Sequence, residues 1–207
     1  MGSSSDLTVP RVKKEPVYKT NDADLRQAAR IYLRDLAPEG VRVVEEMCLD
    51  RGTVRVDLAL LTAPLLGVEL KSDRDTLARL PAQMKHYNAV FGRMVLIVGA
   101  KHVEKALALI PEWWTLLIAR HDGDGVTLEI ARDGRDNPNL SVKAVSDLLW
   151  RDETLALLTS RGLDKGWRTK RVAQLRRRLR ENVAADVIVS AVSETLAARA
   201  GWLPSKA

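Results

Sequence analysis

The sequence predicts an α/β sandwich around a mixed central sheet, followed by an all-helical region. Three observations predict it. Helical and strand-like periods alternate along residues 22–132 in the order helix, three strands, helix, strand, helix, strand, strand. Arg93–Val98 is an apolar run of the kind found in a strand buried on both faces. Beyond residue 140 the two-residue alternation stops and only three- and four-residue steps remain.

Each element has its own signal. Residues 1–21 hold Pro10, Pro16 and mixed charge without a period and read as a flexible arm, and Met-Gly-Ser-Ser-Ser at its start reads as an expression scar. Asp22 or Asp24 caps a helix running to Leu36, with Leu25, Ala28, Ala29, Tyr32, Leu33 and Leu36 on one face. Pro38 and Gly40 end it. Val41–Leu49, Thr53–Leu61 and Gly67–Ser72 are strands joined by short turns, an antiparallel meander. Asp75–Phe91 steps as a helix through Leu77, Leu80, Met84 and Tyr87, and Lys101–Leu109 is a second helix, stopped by Pro111. Trp114–Ala119 and Val126–Ala131 flank the turn Asp122–Gly125, a hairpin with too few ligands for a calcium loop. Residues 133–140 read as a linker between this core (22–132) and a basic helical region (141–207), with helices expected near 141–160, 168–184 and 186–200.

Composition narrows the function. The 207 residues are 46% hydrophobic and 29% charged, as in a soluble globular protein. No apolar run approaches the roughly 20 residues of a membrane span, and no signal peptide is recognisable. Cys48 is the single cysteine, read as a small core residue and as fitting a reducing cytoplasm. His86, His102 and His121 lack zinc-ligand spacing, so any metal is expected to rest on carboxylates, which favours Mg²⁺ or Mn²⁺. The net charge of +6 suits a polyanion, and residues 161–180 concentrate it, with nine Lys or Arg against one acid.

The chemistry sits in the second and third strands. Alternation puts Val56, Leu58 and Leu60 on one face and Arg55, Asp57 and Ala59 on the other, and it sets Glu69 and Lys71 opposite Val68 and Leu70. A meander brings Asp57, Glu69 and Lys71 together. Two acids and an ammonium inside a sheet are costly unless paired or metal-bound. They are either a cross-strand salt-bridge set or a hard-oxygen metal site with a lysine beside it, the equipment of phosphodiester hydrolysis. The Leu70 carbonyl, between Glu69 and Lys71, could add a ligand.

Val56-Asp57, eleven residues, then Val68-Glu69-Leu70-Lys71, with Gln83-Met84-Lys85-His86-Tyr87 on the next helix, resembles the D…ExK…QxxxY pattern of RecB-like PD-(D/E)XK nucleases. The likeness runs on through Lys71–Leu80 to Pro111-Glu112-Trp113-Trp114, covers most of residues 24–200, and is similar to a bacterial and phage branch of that superfamily. It implies a restriction-endonuclease-like αβββαβ core. It also implies metal-dependent DNA cleavage in repair, recombination or defence against mobile elements, with Asp57 and Glu69 as metal ligands. Lys71 would position the attacking water, and Gln83 and Tyr87 would support the site. It further implies one more acid. Glu45 and Glu46 are the candidates; strand parity does not choose, and Glu46 is preferred.

Arg74 and Arg79, at the head of the following helix, and Lys170, Arg171, Arg177 and Arg178, in the basic segment, are the candidate contacts to nucleic acid, made to the phosphate backbone more than to bases. Trp113 and Trp114 read as packing residues rather than a base-stacking platform. Two other roles stay open on the same fold: a module that holds nucleic acid without cutting it, and a phage or host protein-interaction factor working through the C-terminal helices. The nuclease resemblance also leaves room for a homodimer, as in relatives that cut both strands, although the sequence carries no interface signature.

Overall fold

One six-stranded sheet runs in chain order, and every element expected along residues 22–132 is present in the computed structural model, which describes residues 18–200. The order is α1 (Asp22–Leu36), β1 (Val43–Leu49), β2 (Val54–Leu60), β3 (Leu66–Lys71), α2 (Leu80–Val90), β4 (Arg93–Gly99), α3 (Val103–Leu109), β5 (Thr115–His121) and β6 (Val126–Arg132). Four helices follow: α4 (Val142–Ser146), α5 (Arg151–Thr159), α6 (Val172–Asn182) and α7 (Ala185–Ala198). The first three strands pair antiparallel, as short turns require. α2 and α3 are crossovers, so β3, β4 and β5 run parallel, and the β5–β6 hairpin closes the sheet antiparallel. The fold class is therefore α/β with a mixed sheet and C-terminal helices. Among the described residues no helix is long and apolar enough to cross a membrane.

The sheet is covered on both faces. α1 lays Leu25, Ala29 and Leu33 on Leu58, Leu60, Val68, Leu70, Val95 and Ile97. Its cap is Asn21 rather than Asp22 or Asp24: Asn21 Oδ1 accepts from the Asp24 amide, and the Asp24 carboxylate accepts in return from the Asn21 amide. Of the arm expected over residues 1–21, all but its last four residues lie outside the described ones. Thr20 is fully buried and donates through its amide and hydroxyl to Asp73.

The opposite face is covered by α2, α3 and the C-terminal helices together. Val145, Leu149, Leu158, Leu175, Leu179, Ile188, Val192 and Leu196 share one apolar cluster with Met47, Val56, Tyr87, Leu96 and Trp114. The helical region thus completes the second layer of the sandwich rather than standing apart. The expected linker is pinned: the Asn137 side-chain amide donates to the Asn88 and Phe91 carbonyls, and the Gly134 amide to Thr115 Oγ1. Trp113 and Trp114 are buried, edge to face at 5.9 Å. Cys48 is only partly buried, at odds with the core role expected of it.

Two expectations of local geometry need correction. α2 begins at Leu80, not Asp75, because residues 72–79 coil into turns held by the Asp75 carboxylate on the Ser72 amide and hydroxyl. Strict alternation also fails in β2. Val56 and Ala59 pack on the α2 side, whereas Leu58 and Leu60 pack on the α1 side. The cause lies across the ladder. Glu46 adopts φ +52, and the β1–β2 pairing steps from Glu45↔Leu58 to Met47↔Val56 without it. The strands change face at Glu46 and Asp57.

Gly67 shows how tightly α2 is seated. It lies in β3, two residues before Glu69, and a Cβ there would come within 2.5 Å of Met94 Sδ and 2.9 Å of the Phe91 ring. Gly67→Ala is expected to cost about 1–3 kcal/mol through overpacking, lowering Tm by about 3–10 °C. An unchanged thermal melt would show that Met94 and Phe91 have room to yield.

Candidate active site

The β2–β3 ladder runs from Leu60↔Leu66 to Leu58↔Val68. Asp57 is the next residue. Its Oδ2 accepts from the Leu70 amide at 2.8 Å, so a side chain takes over where the partner backbone leaves off. An amide and carbonyl of one extended residue point to the same edge, so the Leu70 carbonyl faces the same gap. The bond fixes one carboxylate oxygen, and the other, Oδ1, lies 3.7 Å from Arg26 Nη2.

β3 is buried along its whole length. Glu69 is 1% exposed and Lys71 6%, both on the face covered by α2. Ionised groups this deep require partners. Lys71 Nζ lies 2.5 Å from Glu69 Oε1. Gln83 Nε2 donates to the same oxygen at 2.8 Å, and the Tyr87 hydroxyl sits 2.7 Å from Oε2. Gln83 and Tyr87 stand four residues apart and so share one face of α2, which is why that spacing can grip one carboxylate. Gln83 Nε2 also donates to the Tyr87 hydroxyl at 3.2 Å, and that hydroxyl is 2.7 Å from the Arg55 carbonyl, joining α2 to β2.

Electrostatics brings Asp57 into the same cluster. Burial first and Glu69 second push its carboxyl up to about 7, against the Leu70 amide, Lys71 and Arg26, which pull it down. Burial and the Glu69 charge likewise push the Tyr87 hydroxyl well above its ordinary range. Asp57, Glu69, Lys71, Gln83 and Tyr87 are therefore one neighbourhood, as the sequence expects.

The donor set fits a hard divalent ion. Glu69 Oε1 is filled by two donors, but Oε2 keeps a lone pair, Asp57 Oδ1 accepts no hydrogen bond among the described residues and has Arg26 Nη2 at 3.7 Å, and the Leu70 carbonyl points to the β2 edge. A buried acid whose proton affinity is raised by burial and by a neighbouring carboxylate marks a site for positive charge. Gln83 Oε1 is buried without a hydrogen-bond partner; flipping the amide would set oxygen against Glu69, so it remains an unused acceptor next to the network. Among the described residues, no three His, Cys, Asp or Glu gather into a metal-binding group. Of the two further acids, Glu45 pairs with Arg30 at 2.7 Å, and Glu46 is held by Arg26 at 3.2 Å and lies 3.7 Å from Arg55. Glu46 therefore engages arginines, and no hydrogen bond joins it to Glu69, Lys71, Gln83 or Tyr87 among the described residues.

Arg26 was not legible in the sequence. From α1 it reaches Asp22, Glu45, Glu46 and Asp57. Its only sequence signal is the i,i+4 spacing to Asp22, shared by countless surface arginines.

The candidate nucleic-acid contacts divide. Arg74 and Arg79 are exposed, and neither side chain bonds within the described residues. Lys170 and Arg171 are exposed in the segment leading into α6. Arg177 is exposed but lies 3.6 Å from Glu181. Arg178 is a correction: its guanidinium lies over the Trp167 ring at 5.1 Å and its Nε is buried, so it packs inward. Arg176 and Arg180 likewise reach inward, to the Leu149 carbonyl and Ser146 hydroxyl.

The family described as Bacteriophage P4 protein cII matches residues 27–200 of the chain. Protein cII of Enterobacteria phage P4 is 24% identical over 121 residues, 58% of this chain and 46% of that protein, so the chain spans about half the length of the curated relative it matches. A solved structure described as a protein of unknown function from Silicibacter pomeroyi gives a TM-score of 0.44 at 23% identity, covering 69% of this chain and 88% of that one.

Proposed function

This chain belongs to the bacteriophage P4 protein cII family, and we propose that it is a divalent-metal-dependent deoxyribonuclease of the PD-(D/E)XK kind. The observation that carries the reading is the closed network on Glu69, in which Lys71, Gln83 and Tyr87 converge on one carboxylate beside Asp57. A salt bridge alone does not need two acids and a buried glutamine with an unused acceptor.

Asp57 Oδ1, Glu69 Oε2 and the Leu70 carbonyl would hold Mg²⁺ or Mn²⁺. Once bound, the ion supplies a more acidic water and neutralises charge on the scissile phosphate. The protein's own groups do the rest. The ammonium of Lys71, held by Glu69, keeps donors to orient a water or a phosphate oxygen. Gln83 and Tyr87 fix the Glu69 rotamer, and the Leu70 amide fixes that of Asp57. Arg74, Arg79, Lys170 and Arg171 supply exposed cations for backbone phosphates, which gives affinity with little sequence preference. The reading places the work in the cytoplasm, where Cys48 remains a thiol.

Metal-dependent cleavage of single-stranded, double-stranded and branched DNA tests the proposal. Asp57→Ala and Lys71→Ala are each expected to lower the rate by about two to three orders of magnitude. Salt-dependent binding with no cleavage in Mg²⁺ or Mn²⁺ would replace the nuclease with a module that only holds nucleic acid. Capture of a protein partner without DNA affinity would point to an interaction factor.

A further inference from the structure

Arg26 contacts more carboxylates than any other arginine around the site, yet grips none of them closely. Its Nη2 is 3.2 Å from Glu46 Oε1 and 3.7 Å from Asp57 Oδ1, its Nη1 is 3.7 Å from Glu45 Oε2, and its Nε is 3.4 Å from Asp22 Oδ2. A structural arginine in the same protein looks different. Arg199 forks onto Glu153 at 2.7 and 2.6 Å.

Three of the four partners of Arg26 are also provided for in its absence, the exception being exposed Asp22. Glu45 has Arg30 at 2.7 Å, Glu46 has Arg55 at 3.7 Å, and Asp57 Oδ2 has the Leu70 amide. Removing the guanidinium takes the neighbouring arginine from exposed Asp22 and, within the site, from Asp57 Oδ1, which is then left with Lys71 as its nearby cation. Glu46 reaches Arg26 from a backbone at φ +52, directly across the ladder from Asp57. A glutamate held in that region is uncommon and points to a local demand for its position.

We propose that Arg26 is a displaceable internal counter-cation, which occupies the acidic mouth of the site in the metal-free protein and yields its place at Asp57 Oδ1 to a divalent ion. The inference rests on the reading of Asp57 as a metal ligand. A guanidinium and a divalent ion cannot share one carboxylate oxygen without strong repulsion, so ion affinity is set by the competition between them. Arg26 is thus a positioning residue that governs when the site is loaded, while the Glu69 network remains assembled throughout.

The test is Mn²⁺ binding to the metal-free full chain by calorimetry, comparing wild type with Arg26→Met. The variant is expected to bind Mn²⁺ about tenfold more tightly or better, and saturating Mn²⁺ is expected to raise its melting temperature more than that of wild type. A second measurement uses the wild type alone, so it stands even if the variant folds poorly. The Arg26 side-chain Nε–H resonance is expected to move on Mg²⁺ addition while that of Arg30 stays. Equal or weaker Mn²⁺ affinity in a folded variant, or an Arg26 resonance unmoved at saturating Mg²⁺, overturns the proposal and leaves the metal site standing. If neither protein binds Mn²⁺, the metal reading falls and this inference with it.

Discussion

Asp57→Asn is expected to make the metal-free protein more stable at pH 8 and, on the proposed nuclease reading, to abolish cleavage of DNA. The native carboxyl is pushed up to about 7, first by burial and then by Glu69, whereas an aspartate in the unfolded chain titrates near 4. A native state that holds its proton more tightly than the unfolded state loses stability as pH rises between those two values. Near pH 4 the penalty is absent, and above pH 7 it is complete. Each pH unit of that window is worth about 1.4 kcal/mol, so the ceiling is on the order of 4 kcal/mol. Asparagine keeps an oxygen for the Leu70 amide and never ionises, so the variant escapes the penalty. Urea denaturation at pH 4 and pH 8 checks this: the two proteins should nearly coincide at the lower pH and separate at the higher, with the variant above. Adding Mg²⁺ should close the gap by raising wild type alone. A variant less stable than wild type at pH 8 would mean that Asp57 is a structural acid, not a strained one kept for chemistry.

The same residue marks the limit of what the chain reveals before it is folded. Asp57, Glu69, Lys71, Gln83 and Tyr87 are legible because strand alternation and helical i,i+4 spacing are local rules, and the network on Glu69 follows from them. The change of face at Asp57 is not local. It depends on the left-handed backbone of Glu46 in the neighbouring strand, and a glutamate in a strand-like run gives no warning of it. Glu45 and Glu46 therefore could not be ranked as ligands from parity, and the structure gives both to arginines of α1 and β2. Arg26 escaped notice for a similar reason, because its contacts arise only when α1 docks on the sheet. Charge counting also overstated the α6 surface. Composition cannot distinguish Arg171, which is exposed, from Arg178, which lies on Trp167, or Arg180, which donates to Ser146. Likewise, Gly-Arg-Asp-Asn-Pro-Asn looks like a linker by residue type, but Asn137 pins it to α2 and the Phe91 carbonyl.

Glu153→Ala is expected to be among the most destabilising single changes in the molecule, and it tests whether the C-terminal helices are a layer of the core. Arg199 is 6% exposed in its side chain and forks onto both Glu153 oxygens, with its guanidinium 4.1 Å above the Trp150 ring. Glu153 also accepts from the Trp150 amide at 2.6 Å and so caps α5. Truncation takes the carboxylate from a buried guanidinium, which typically costs about 3–5 kcal/mol, and removes a cap worth about 1 kcal/mol. The expected fall in Tm is about 8–20 °C. Glu153→Gln, which keeps an acceptor for the cap but not the charge, should fall between. The pair also straps the end of α7 to the sheet, because Arg42 of the segment entering β1 donates to the Arg199 and Ala197 carbonyls. α4, packed against α2, continues that layer to the helix carrying Gln83 and Tyr87. If the helices are one layer with the core, the variant should still melt in a single transition at a lower temperature, and metal binding should be lost along that same curve. If α4 to α7 form an independent unit, calorimetry should instead resolve an early helical transition that leaves the Asp57–Glu69 site able to bind Mn²⁺.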